Sequence, residues 1–131
     1  MPIVEVTHDP RIAPATLRAL AAALPHAVSL AVECPEEPYD GDLRPGDVDV
    51  RFRARGTYDS GGLELVVEVR SKWFASRAEV RQERCDRLRD TVVQAAGTTS
   101  VGIYLTLPVA AWAEGEAGLS SSSAARPPAP A

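Results

Sequence analysis

Little in this chain is equipped to bind a metal or carry a redox couple. Its 131 residues include two cysteines and two histidines. Cys34 and Cys85 stand 51 positions apart, with neither a CxxC spacing nor a histidine pair beside them. That pattern excludes the common zinc sites and gives no disulfide framework, so both read as small buried hydrophobes in a reducing compartment. The phosphate-loop glycines, HExxH and GxSxG are missing as well, and with them the signatures of nucleotide, zinc-hydrolase and serine-nucleophile chemistry. His8 and His26 stand alone and read as structural or surface residues rather than bases. No cofactor and no metal is expected.

Positive charge is also short. The net charge is -4, the sequence pI is near 5.2, and the single lysine is Lys72, the other 13 basic residues being arginine. An acidic chain of this kind is not built as a nucleic-acid binder, although clustered arginines still leave room for a local anion site. An uninterrupted apolar run is lacking too. Ala- and Leu-rich residues from Ile12 to Val32 are broken by Arg18, Pro25 and His26 and are preceded by no basic stretch, so neither a membrane span nor a signal peptide is expected, and the location expected is cytoplasmic.

What is present is one domain's worth of ordinary globular sequence, 45% hydrophobic and 24% charged. The domain is placed at residues 1–112. From Ala113 onward, AEGEAGLSSSSAARPPAPA offers too little apolar surface to offset the entropy of ordering, and residues 113–131 read as a disordered tail.

Within the domain one rhythm occurs twice. Ile3 to Thr7 reads as a strand, Pro14 to about Leu24 as a helix with proline in its first turn, and Val48 to Arg55 as a strand. Leu63 to Arg70, LELVVEVR, then alternates as a strand, followed by a helix over Ser76–Ala96 and a strand over Val101–Leu107. For the second helix, Ser76 with Glu79 spells a capping box and Gly97 a left-handed C-terminal cap. Val80, Cys85, Leu88, Val92 and Ala96 form its apolar stripe, and Glu83 with Arg87 makes an exposed pair. The pattern predicts an α+β, two-layer domain: a tandem βαβ repeat sharing a four-stranded mixed sheet, with two helices on one face. YDSGG at 58–62 is the expected hairpin turn between the halves. In the second strand, Val48, Val50, Phe52 and Ala54 take one side, and Asp49, Arg51, Arg53 and Arg55 take the other. If helices cover the first side, three arginines project from the second toward water, a partner or an anion.

The chemistry left open is proton transfer by an unusual base. Removal of Met1, which ordinarily precedes a small second residue, would leave Pro2 with a free secondary amine. Shifting a proton between two carbons of an enol or keto acid needs one base with a pKa near the working pH and a cation to steady the dienolate. Burial near positive charge lowers an amine's pKa toward that range.

MPIVEVTHDPRI at the start resembles the opening of the tautomerase superfamily, and the doubled βαβ order is similar to that superfamily as well. The resemblance runs over residues 2–107 and is closest to the 5-carboxymethyl-2-hydroxymuconate isomerases. PHAVSLAVECP, DVRFRARGTYD and SRAEVRQERCDRLRD carry it further. It implies a homotrimer, Pro2 as catalytic acid and base, and a small anionic keto-acid substrate from aromatic catabolism whose carboxylates are held by arginines. Arg51 matches the second-strand arginine, and Arg11 falls near that of the loop after strand one. The loop before the second helix departs from the pattern: it reads SKWFAS, with Ala75 where those isomerases carry arginine. Arg77, Arg70 and Lys72 stand close enough in sequence to replace the charge, Arg77 being the candidate substrate binder, and Trp73 and Phe74 either enlarge the pocket wall or pack against the helix start. A non-catalytic trimer that binds a small anion or a protein partner is the alternative.

Overall fold

The computed structural model describes residues 1–115. The segment read as a tail lies, from residue 116 on, outside the described residues. Eight elements follow in order: β1 (Ile3–His8), α1 (Pro14–Val32), a 3-10 turn (Pro38–Gly41), β2 (Asp49–Ala54), β3 (Leu65–Arg70), α2 (Ala75–Glu79), α3 (Arg81–Ala96) and β4 (Val101–Thr106). The strands form one sheet in the order β2-β1-β3-β4, with β1 parallel to β2, β3 parallel to β4 and the two pairs meeting antiparallel. This is the expected two-layer α+β architecture with a four-stranded mixed sheet.

Strand alternation decides the two faces. Val4 and Val6 of β1, Leu65, Val67 and Val69 of β3, and Leu105 of β4 are buried under the helices, against Leu20, Leu24, Val28 and Val32 of α1 and Leu88 and Val92 of α3. α1 is long and apolar enough to cross a membrane, but these buried side chains make it a core helix. The opposite face carries Arg51, Glu5, Glu68 and Tyr104 in one row across all four strands. No helix of the described residues covers it, and Tyr104 is 69% exposed.

Four local expectations need correcting. The expected hairpin at 58–62 does not pair β2 with β3, because both flank β1. Residues 55–64 instead pass over the C-terminal end of β1, held by Arg55 N–H to the His8 carbonyl (2.9 Å) and Asp9 N–H to the Glu64 carbonyl (2.9 Å). Alternation identifies which face a residue takes; it carries no information about which strand lies alongside.

α1 runs eight residues past its expected end, through Pro25. Proline forfeits one backbone bond there, and burial of Ala27, Val28, Ala31 and Val32 on the following turns outweighs that loss.

The second helix is two helices broken at Val80, whose φ of -120° and ψ of 38° are not helical. The capping box does not form: Ser76 sits inside α2 and its hydroxyl donates to Glu36 (2.9 Å), while Val80 leaves the apolar stripe and is exposed. Gly97 does close α3 in the left-handed region, at φ 70°. The exposed ion pairs of α3 run from Arg89 to Asp86 and Asp90 rather than between Glu83 and Arg87.

Finally, β2 is an edge strand. Val48 is buried, but Phe52, expected under a helix, is 36% exposed. The helices sit over the centre of the sheet, and their cover thins toward its edge.

Candidate active site

Antiparallel pairing of β1 with β3 sets Ile3 opposite Arg70. The first residues of the chain therefore meet the loop that leaves β3, Ser71 and Lys72. A cavity of about 810 Å³ opens there, with Met1 and Ile3 in its lining. Pro2 lies buried between them, and its carbonyl accepts the Asp49 N–H at 3.1 Å. Proline at this position costs the sheet no donor, since the ladder begins after it. One wall is the irregular segment around the 3-10 turn, including Tyr39, Asp40 and Leu43. The other is the C-terminal segment Pro108–Glu114, anchored by the Trp73 N–H on the Pro108 carbonyl (2.8 Å), with Trp112 facing the cavity.

The lining carries four cations, Arg51, Arg70, Lys72 and Arg77, against six carboxylates, Glu5, Glu37, Asp40, Asp42, Asp47 and Glu114. Each cation already has a carboxylate. Arg51 pairs with Asp49 (2.7 Å) and lies 3.8 Å from Glu5, Arg70 bonds Glu5, and Lys72 bonds Glu37 at 2.9 Å. The Lys72 ammonium holds the Glu37 carboxyl below its ordinary pKa, and Asp49 raises that of Arg51. The Arg51 side chain is 58% exposed, so its pairing is screened and easily exchanged for another anion.

Arg77 behaves differently. It is 1% exposed. Its Nε donates to the Val32 carbonyl, one terminal nitrogen to the Ser71 hydroxyl (2.9 Å) and the Lys72 carbonyl (2.8 Å), and the other to Asp40. The guanidinium also lies 5.0 Å from the Phe74 ring centroid. Expected as a substrate binder, it instead ties the end of α1, the 3-10 segment and the β3–α2 loop to one another, and so fixes the 3-10 wall of the cavity against the end of β3.

Arg11 is at the other end of the molecule. The six residues of β1 span about 20 Å at roughly 3.4 Å each, and Arg11 lies beyond their C-terminal end, paired with Asp9 at 2.8 Å. Within one chain it does not meet Pro2. The Arg11 side chain, then its backbone N–H, pull the Asp9 carboxyl from its ordinary 3.8 to about 2. A folded-state pKa below the unfolded one adds stability at higher pH, and this contribution fades as the pH falls from about 4 through 2. Arg11→Ala should return the Asp9 carboxyl toward 3.8 in an NMR titration; a midpoint still near 2 would mean that other groups hold it down.

Thus Arg51 and Arg77 line one cavity, with Arg77 built into its frame, Pro2 lies buried between the lining residues Met1 and Ile3, and Arg11 stands apart. Sequence reading passed over three contributors: Glu5, Asp40 and Trp112. A tryptophan four residues past Pro108, in a chain with 5% aromatics, is the one signal that marks Trp112.

No family model and no curated protein matches the sequence. Solved structures do match. A fused 4-OT, described as a symmetric trimer, aligns with a TM-score of 0.59 at 20% identity, covering 95% of this chain and 99% of that one. The chain has a tautomerase-like fold. Malonate semialdehyde decarboxylase aligns at TM-score 0.62 and 13% identity over 88% of this chain and 92% of its own. Leishmania major MIF2 gives 0.53 and 14%, over 86% and 93%. This tautomerase-like fold puts Pro2 at the head of a central strand, beside the cavity.

Proposed function

We propose that this protein is a cofactor-independent isomerase that moves a proton on an unsaturated 2-hydroxy or 2-keto carboxylic acid, with the amine of Pro2 as general base and acid. The observation that carries this reading is the burial of Pro2 at the head of a central strand, between Met1 and Ile3, which line a cavity together with Arg51 and Arg70. Once Met1 is removed, the nitrogen lone pair of Pro2 takes a proton from the substrate's hydroxyl or from a carbon beside its carbonyl. The electrons left behind spread over a dienolate, which Arg51 steadies by releasing Asp49, and Pro2 returns the proton at the far carbon. Atoms and charge balance without an added reactant. The resemblance to 5-carboxymethyl-2-hydroxymuconate isomerases places that compound among the substrates to be tried.

The same reading makes the protein a homotrimer, as the fused 4-OT is described to be. The open sheet face, with Arg53, Glu68 and Tyr104 exposed, is the surface neighbouring subunits would cover. Arg11, a strand's length from its own Pro2, reaches such a site only across a subunit boundary.

The test combines intact mass with proton exchange. Protein shown by mass spectrometry to begin at Pro2 should ketonise phenylenolpyruvate or 2-hydroxymuconate and, in deuterated buffer, leave deuterium on the receiving carbon. Processed protein that exchanges no proton on any keto acid tried would instead favour the alternative, a trimer that binds a small anion without turning it over.

A further inference from the structure

We infer that Glu5 is an internal counter-ion of this cavity: its carboxylate occupies, between Arg51 and Arg70, the place where a substrate carboxylate binds, so that an anion enters by exchange with it. The inference rests on the proposed reaction site being this cavity, and goes beyond it by naming the group that the substrate displaces.

The sheet sets the arrangement. Glu5 of β1 has Arg51 of β2 beside it, and Arg70 of β3 stands opposite Ile3, one open-face position nearer Pro2. Alternate positions of a strand share a face, so Ile3, Glu5, Arg51 and Arg70 all lie on the side away from the helices. β1 runs between the two arginines, and Glu5 is the residue that joins them. Its Oε1 accepts a hydrogen bond from Arg70 Nη2 and lies 3.8 Å from Arg51 Nη1. All three side chains line the cavity. One carboxylate oxygen therefore serves two guanidinium groups at the cavity wall, which is the contact an incoming carboxylate would make.

Three observations make that contact exchangeable. Glu5 and Arg70 are each 41% exposed, so solvent screens their pairing. Glu5 also leaves donors of both arginines unused. Arg51 turns Nη2 to Asp49 (2.7 Å), and Arg70 Nε, a buried atom, bonds no group among the described residues. Once Glu5 lets go, Arg70 can present Nε and Nη2 side by side, the fork that a carboxylate accepts with both oxygens. Finally, Glu68 faces Glu5 directly across the antiparallel β1/β3 pair, and two like charges so placed weaken the hold on Glu5.

Crotonate, a small unreactive carboxylate, and crotonamide, its neutral counterpart, are titrated into the full chain while the Nε–H signals of the arginines are followed by NMR. Crotonate should shift the signals of Arg51 and Arg70. Glu5→Gln, which keeps the size of the side chain and removes the competing charge, should tighten crotonate about tenfold and leave crotonamide unchanged. The melting temperature should stay within about 2 °C of the parent, because the ion pairs lost are exposed and the repulsion from Glu68 goes with them. Arg70→Met should weaken crotonate, and in that background the gain from Glu5→Gln should shrink to about threefold or less, the coupling expected of two groups in one contact. Absence of any crotonate shift in both parent and Glu5→Gln, equal or weaker crotonate binding after Glu5→Gln, or the same gain for crotonamide overturns the inference. Pro2→Ala measured alongside keeps the two proposals apart. Pro2-dependent turnover without tightening by Glu5→Gln sinks this inference alone, and tightening with Pro2-independent turnover sinks only the proposed reaction.

Discussion

Pro2→Ala, processed to begin at residue 2, should lower kcat/KM on phenylenolpyruvate by about 10² to 10⁴, the range a positioned general base contributes. Thermal stability should hardly change. Pro2 lends the sheet a carbonyl, to Asp49, and alanine supplies the same group. The pH profile gives a second readout: in the parent protein the rate should rise with pH as the amine loses its proton, and that limb should move or vanish in the variant. A variant with full rate and the same limb would assign the proton transfer to another group. Protein that retains Met1 should be inactive even with Pro2 intact, because the nitrogen is then an amide without a basic lone pair.

The largest stability effect should come from Arg77→Ala. The substitution removes hydrogen bonds to Val32, Ser71 and Lys72, and leaves Asp40, itself largely buried, without its cation. Breaking a buried pair from one side costs about 3–5 kcal/mol, which in a domain of this size lowers the melting temperature by roughly 10–20 °C. Arg77→Lys should recover only part of the loss, since an ammonium cannot reach three carbonyl or hydroxyl partners and a carboxylate in the planar arrangement that Arg77 holds. Asp40→Asn in the Arg77→Ala background should restore some stability by removing the stranded charge. A melting temperature within a few degrees of the parent for Arg77→Ala would show that water replaces the guanidinium and that the cavity frame stands without it.

The faces of the strands were legible in the sequence because alternation is a local property: Val4 and Val6, Val67 and Val69 declare their side within a few residues. The broad α+β plan was legible for the same reason. Strand neighbours were not, since YDSGG looks the same whether the chain turns back beside β2 or passes over β1. The end of α1 was misplaced because the local penalty of Pro25 is visible in sequence, whereas the burial of Val28 and Val32 that outweighs it is tertiary. At the site, Pro2 could be singled out because the chemistry proposed for it depends on its place in the sequence and not on its surroundings. The status of Arg77 could not: an arginine that binds a ligand and one that clamps Val32, Ser71 and Asp40 differ only in what surrounds them. Trp112 escaped because it belongs to no periodic element, and its wall exists only once the segment after β4 returns past the start of β1.

The two halves of the sheet also set a stoichiometry. Turning the antiparallel β1/β3 pair about its centre exchanges the head of β1 with the head of β3, so each chain holds two positions of equivalent geometry. At the head of β3 stands Glu64, whose nitrogen is an amide already donating to the Ser100 hydroxyl at 3.0 Å. Symmetry of backbone is therefore not matched by symmetry of chemistry. A covalent reagent for N-terminal amines should saturate at one equivalent per chain, and a threefold assembly at three.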